Sequence, residues 1–212
     1  MKLYGYWRSS AAYRVRIALN LKGLAYDIVS INLAKGEHGH ADYAAVNPQG
    51  LVPVLEDDGE RLYQSLAIIE HLEETHPEPP LLPRDPAGRC RVRSLALIVA
   101  CEIHPLNNPR VLNYLTGNLG ISEAQKLAWY DHWVKTGFTA LETRLTTERS
   151  TGRYCHGDTP TLADIALVPQ VANALRFNVD MSGFPTIRHI NDACQKLEAF
   201  QKAAPQNQPD AQ

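Results

Sequence analysis

Cysteine is scarce and scattered in this chain: 4 in 212 residues, at Cys90, Cys101, Cys155 and Cys194, with no Cys-x-x-Cys pair. That excludes a disulfide scaffold and a zinc ribbon, and reads as free, mostly buried thiols of a cytosolic protein. Long apolar runs are missing too. None approaches the roughly 20 residues that cross a bilayer, and the opening Met1-Lys-Leu-Tyr-Gly has no signal-peptide layout. An excess of either charge is absent as well. The 21 Lys and Arg against 23 Asp and Glu leave a net charge of −2, so no basic field points to nucleic acid or to an anionic membrane surface. No repeat or low-complexity segment stands out. What is present is ordinary for a globular chain, with 44% hydrophobic and 21% charged residues, enough for one large or two small domains.

The first third reads as a small α/β unit. An apolar run at 2–7 predicts a strand. Residues 10–22 then place apolar side chains at helical spacing, with Gly23 as the terminator. A second strand is expected at 26–31, a loop at 34–40 and a short helix at 41–45. Asn47-Pro-Gln-Gly50 is turn chemistry leading into Leu51-Val-Pro-Val-Leu55. A proline cannot donate to a strand ladder, so Pro53 belongs at a strand start or an irregular site, such as a cis bond. Asp57-Asp-Gly59 makes a hairpin turn, and Ser65 is a candidate cap for a helix over 66–74. The order is β-α-β-(α)-β-β-α. A proline-dense linker covers 76–86. Beyond it all patterns are helical: about 87–103, from Ser122 to about Thr147, from Thr161, from near Pro185, and at 198–203. The polar tail from Pro205 is expected to fray. The domains are therefore residues 1–80 and 87–212.

Two junctions carry chemistry. Ser9 and Ser10 stand where the first strand gives way to helix. Serine there caps the helix, and a helix N-terminus collects anions through its free N–H groups and dipole. Thr161 and Asp164 have the spacing of a capping box, which we read as a folding element. Cys101-x-x-His104 has no second ligand pair and makes no metal site.

Taken together, the Ser9-Ser10 junction, Val52-Pro53, the Gln64-Ser65 helix start, the proline linker, the helical second half and the Thr161/Asp164 box resemble a cytosolic glutathione transferase. Such a protein has a thioredoxin-like α/β domain followed by an all-α domain. Ser9-Ser10-Ala11-Ala12-Tyr13-Arg14-Val15-Arg16-Ile17-Ala18-Leu19 is similar to the zeta-class signature, usually Ser-Ser-Cys-x-Trp-Arg-Val-Arg-Ile-Ala-Leu. His104-Pro-Leu-Asn-Asn-Pro-Arg110 resembles the zeta-class segment that opens the helical-domain side of the site. The class includes maleylacetoacetate isomerases and bacterial maleylpyruvate isomerases. The resemblance covers nearly the whole chain. It departs at Ala11, where the signature has cysteine, and at Tyr13, where it has tryptophan.

The resemblance implies glutathione as cofactor. Ser9 or Ser10, with the helix N-terminus, would favour its thiolate over its thiol. Ala11 belongs to the same turn. Val52, beside Pro53, would pair with the cysteinyl part like an added strand. Gln64 and Ser65 suit the γ-glutamyl carboxylate, and His38 and Gln49 lie in loops that reach the glycyl end. His104 and Asn108 would contact cofactor or substrate. Arg8, Arg110 and Arg176 are the cations for substrate. Arg176 is unusual for sitting in the apolar Ala174-Leu-Arg-Phe177. Three arginines acting on one molecule would clamp two carboxylates by bidentate bonds, which a dianionic maleyl keto acid requires. Arg14 and Arg16 are assigned structural or subunit-contact roles.

The implied reaction is thiolate addition to the cis double bond, rotation, and elimination to the trans isomer. Its substrate would be maleylpyruvate from gentisate breakdown, converted to fumarylpyruvate, or else maleylacetoacetate. Competing readings are a transferase that conjugates or dehalogenates small electrophiles and a non-catalytic glutathione-binding module. The family further implies a cytoplasmic homodimer.

Overall fold

A computed structural model describes residues 1–212 as two units: Met1–Leu81 with Gln195–Gln212, and Leu82–Cys194. Unit 1 is built on a sheet of four short strands, β1 (Lys2–Gly5), β2 (Asp27–Ser30), β3 (Val54–Asp57) and β4 (Glu60–Tyr63), in the order β2-β1-β3-β4. β1 runs parallel to β2 and antiparallel to β3, and β3 to β4 is antiparallel. The parallel pair needs a crossover, and α1 (Ser10–Leu21) supplies it. The antiparallel pair needs only two residues. Asp58 and Gly59 both take positive φ, +46° and +85°, the requirement of a type I′ hairpin turn.

α1 buries every residue from Ala12 to Leu19, because α3 (Ser65–Thr75) and α9 (Glu198–Ala203) both pack on it, and Ala12 lies against Gly5 of β1. It ends in a Schellman motif: Leu24 N–H reaches Leu19 O at 2.9 Å, Gly23 N–H reaches Asn20 O at 3.2 Å, and Gly23 sits at φ +66°. Lys22, just before that glycine, is fully buried. Its ammonium donates to Glu73 Oε2 (2.9 Å), His76 O (2.7 Å) and Pro79 O (3.1 Å). Glu73 also accepts from Leu81 N–H at 2.9 Å. Lys22 thus ties α1 to the end of α3 and to the proline-rich segment beyond it.

Unit 2 is helical. α4 (Pro86–Leu97) is capped by Asp85, which accepts from Gly88 N–H at 2.7 Å, and it runs on into a π-helical turn at Ile98–Ile103. α2 (Ala41–Ala44) is a single turn in unit 1; α5 (Pro109–Gly117), α6 (Glu123–Thr147), α7 (Leu162–Arg176) and α8 (Pro185–Cys194) complete unit 2. α6 starts at a reciprocal Ser122/Gln125 capping box. α7 is buried nearly all round, as a central helix is. Asp164, wholly buried, accepts from Thr161 N–H and Cys155 N–H, both at 2.8 Å, and from the Thr161 hydroxyl at 2.9 Å. This is the folding element that the Thr161/Asp164 spacing announced. Burial still raises the Asp164 carboxyl pKa, and it pushes the Cys155 and Cys194 thiols well up.

Several expectations need correction. The third strand begins at Val54, and Pro53 precedes it after a cis Val52–Pro53 bond. The loop at 34–40 holds two 3₁₀ turns, Leu33–Lys35 and Glu37–Gly39. The helix expected over 87–103 changes to π geometry at Ile98, and α5 was not foreseen. Ser65 is the first residue of α3, with Gln64 in the cap position. Cys90 and Cys101 are exposed; only Cys155 and Cys194 are buried. The tail is not frayed. Gln208 is buried and donates to Lys202 O and Ala204 O, and residues 195–212 group with unit 1, where the sequence had put them in the second domain.

Candidate active site

The turn before α1 is built by Ser9. Its N–H donates to Tyr6 O at 2.9 Å, and its Oγ accepts from Ala12 N–H at 3.2 Å. Ser9 is therefore the N-cap, in extended conformation, and its own hydroxyl proton remains available to an outside acceptor. Ser10 is a buried residue of the helix itself. Ala11 follows it, half-buried. Arg8 is exposed, with its guanidinium 4.3 Å over the Trp7 ring.

Val52 is held near this turn by packing. It belongs to one apolar cluster with Tyr6, Tyr43 and Val54, on which Trp7 also packs. The segment leading to it is pinned: the Tyr43 hydroxyl and Asn47 Nδ2 both donate to Leu51 O at 2.7 Å. Val52 itself lies outside the paired residues of β3. Burial pushes the Tyr43 phenol up to about 12, so it stays a neutral donor.

The start of α3 is the third piece. Gln64 takes φ +65° and ψ 114°, a strained conformation for a side-chain-bearing residue, and it makes no side-chain cap. The first turn of α3 has no acidic residue either, so no side chain of its own complements its N–H groups. Ser65 Oγ accepts from Arg14 Nη1 at 3.4 Å, which couples this end of α3 to α1. Gln64 Nε2 donates to Gln49 Oε1 at 2.9 Å. A Cβ on the next residue, Gly50, would lie 3.2 Å from His38 O, so the His38 loop lies against this turn. Unit 1 therefore links Ser9, Val52, Pro53, Gln64, Ser65, Gln49 and His38 through short chains of contact.

Unit 2 gathers its own candidates around Tyr130. His104 follows the π-helical turn, and Asn108 caps α5 by accepting from Arg110 N–H at 3.1 Å. Between them, Leu106 O accepts from Trp129 Nε1 at 3.0 Å, and Asn107 Nδ2 donates to Tyr130 O at 3.4 Å. Tyr130 stacks on Phe177 with centroids 4.0 Å apart, and the Arg176 guanidinium lies 4.7 Å over Phe177. Burial raises the Tyr130 phenol to about 12 against the opposing pull of Arg176. The His104 segment and Arg176, far apart in sequence, thus share one aromatic neighbour. Arg110 and Arg176 are both exposed. No local pattern singles out Tyr130, while Asn107 and Phe177 lie within the two stretches already quoted, without a role assigned to them there.

The glutathione S-transferase N-terminal domain family matches residues 3–80, and the corresponding C-terminal domain family matches residues 128–199. A maleylpyruvate isomerase from Ralstonia sp is 52% identical over 211 residues, covering all of both chains. Among solved structures, the holo structure of a maleyl pyruvate isomerase, described as a bacterial zeta-class glutathione S-transferase, superposes with a TM-score of 0.98 at 52% identity and full coverage of both chains. A maleylacetoacetate isomerase from Methylobacterium extorquens, with malonate and glutathione bound, superposes with a TM-score of 0.97 at 46% identity, again over both whole chains. The chain belongs to the glutathione S-transferase family, in its maleylpyruvate and maleylacetoacetate isomerase branch.

Proposed function

We propose that the protein is a glutathione-dependent cis–trans isomerase that converts maleylpyruvate to fumarylpyruvate in aromatic catabolism. The observation that carries it is Ser9: a helix cap whose hydroxyl is held by Ala12 N–H while its proton stays free to donate. The residues fit glutathione. The α3 N-terminus at Gln64 and Ser65, with no side-chain cap, suits a carboxylate, and Val52, outside the ladder, suits strand-like pairing. His38 and Gln49 complete the cradle on the Gly50 side. When bound, glutathione supplies the sulfur nucleophile that makes the double bond single for long enough to rotate.

Ser9 donates to the sulfur and, with the α1 N-terminus, favours its charged form. Ser10 and Ala11 shape the same turn. Ala11 brings no thiol, and the Cys155 and Cys194 thiols are too raised to act. Arg8, Arg110 and Arg176 bind the two carboxylates of the substrate and oppose the charge that develops on its ketone oxygen. His104 and Asn108 orient cofactor or substrate. Malonate in the structural neighbour is likewise a dicarboxylate, and that neighbour's name supports maleylacetoacetate as the second reading. The protein acts as a cytoplasmic homodimer with no nucleic-acid or membrane partner. The homodimer and its location follow from the family resemblance; the net charge of −2 offers no basic field for nucleic acid, and no helix is long and apolar enough to cross a membrane.

The test mixes the protein with maleylpyruvate and substoichiometric glutathione. Fumarylpyruvate far in excess of glutathione is expected. Loss of one glutathione per substrate would replace the isomerase with a conjugating transferase.

A further inference from the structure

The turn that carries Arg8 and Ser9 is held from the far end of the chain. Trp7 is its first residue, and both backbone polar groups of Trp7 are engaged. Its N–H donates to Asp210 Oδ2 at 3.2 Å, and its C=O accepts from Arg16 Nη2 at 3.1 Å. Asp210 Oδ2 also accepts from the Ser30 hydroxyl at 2.8 Å, which fixes the carboxylate against β2. Arg16 Nε donates to Ala203 O at 2.9 Å, so one guanidinium bridges the turn and the end of α9. Arg16 is 2% exposed, and burial lowers its pKa to about 10, so it stays charged at neutral pH. Gln208, buried between these anchors, donates to Lys202 O (2.8 Å) and Ala204 O (2.9 Å). The segment between Ala203 and Asp210 is therefore a fixed span with one hold on each side of residue 7.

A peptide that must present a side chain to a ligand gains from such fixing. Position errors of an ångström at a reacting centre cost large factors in rate. The Trp7 ring is also the surface under the Arg8 guanidinium, so the orientation of residue 7 sets two side chains at once. We propose that residues 203–210 are a positioning strap for the turn at residues 7–9, acting through Arg16 and Asp210 on the backbone of Trp7. This rests on the roles assigned above to Ser9 and Arg8. Asp210 and Arg16 are positioning residues that act through the turn.

The test compares Asp210→Ala, Asp210→Asn and Ser9→Ala in the full chain. Readouts are kcat with maleylpyruvate, the Kd for glutathione, the melting temperature, and the pKa of the bound glutathione thiol from thiolate absorbance. Asp210→Ala is expected to lower kcat about fivefold to tenfold and to raise the bound-thiol pKa by about half a unit or more. Asp210→Asn keeps an oxygen that can accept both bonds and should restore both values. Glu142→Ala controls for stability alone. Glu142 caps α8 through Thr186 N–H (2.8 Å) and Ile187 N–H (2.9 Å), and its loss should lower the melting temperature without moving the thiol pKa. If Asp210→Ala lowers only the melting temperature while Ser9→Ala loses the thiolate, the strap is wrong and the serine assignment stands. Failure of Asp210→Asn to rescue also overturns the strap. If Ser9→Ala leaves the thiol pKa unchanged, it is the serine assignment that fails; the strap then stands only if Asp210→Ala still lowers kcat through Arg8, and falls if it does not.

Discussion

Replacing Lys22 by methionine would remove a buried ammonium bonded to Glu73 while keeping the volume of its aliphatic stem. All three ammonium donors are used, on Glu73, His76 O and Pro79 O, and the side chain is fully buried. Methionine leaves two backbone carbonyls short of a donor and takes the Lys22 ammonium away from the buried Glu73 carboxylate. Removing one partner of a buried ion pair costs about 3–5 kcal/mol, most of it from the charge left behind. For a chain of this size each kcal/mol moves the melting temperature by about 2–4 °C, so a fall of roughly 6–20 °C is expected. Urea denaturation followed by fluorescence measures the free energy, and a thermal scan checks it. Lys22→Met with Glu73→Gln removes both charges. It should recover at least half of the loss, because the buried negative charge that Lys22 balanced is gone. A single variant within about 1 kcal/mol of the parent, the range of a surface pair, would refute the reasoning. A double variant no better than the single would also refute it.

Three further outcomes are expected. Gly137→Ala would drive a Cβ into Ile103, a fully buried β-branched side chain, so an overpacking cost of about 1–3 kcal/mol should outweigh the helix-propensity gain of about 1 kcal/mol; denaturant midpoints decide the sign. The Glu148 carboxyl is held below its usual 4.5, first by the Arg144 hydrogen bond and then by Arg91. A carboxyl with a depressed folded pKa contributes stability above its unfolded pKa and loses it as pH falls through the folded one. The melting-temperature gap between the parent and Glu148→Gln should therefore be full at pH 6 and close below pH 4.5. Arg176→Ala should raise KM for the dianionic substrate about tenfold or more while glutathione affinity by calorimetry stays near the parent value, and equal loss of both would displace Arg176 from the substrate.

How far the sequence reaches depends on how local the cause is. α1, α6 and α7 were legible because their caps, Ser9, Ser122 and Thr161, and their apolar spacing are local signals. The hairpin was legible in Asp58-Gly59, since two positive φ angles select those residues. α5 escaped because its nine residues lie between Pro109 and Gly117 and expose most of their surface. The serine turn and the Gln64-Ser65 start were found through a motif, but not the strain at Gln64, which arises where β4 meets α3. Tyr130 and Phe177 are neighbours only after folding, 47 positions apart by number, and no periodicity reports such a pair. The tail misled for the same reason: its polar residues look solvated until Asp210 is seen on Trp7.

The π-helical turn at Ile98–Ile103 has a consequence for how the segment after it is aimed. A π turn accommodates one extra residue without a loop, and each residue of an α-helix advances the side chains by about 100°. His104 and the run to Arg110 therefore leave α4 about a quarter-turn out of phase with the face that α4 itself presents. Phase, not length, is what the insertion sets. Deleting a single residue from that turn would let α geometry continue unbroken and re-aim the whole segment while leaving the helix count unchanged.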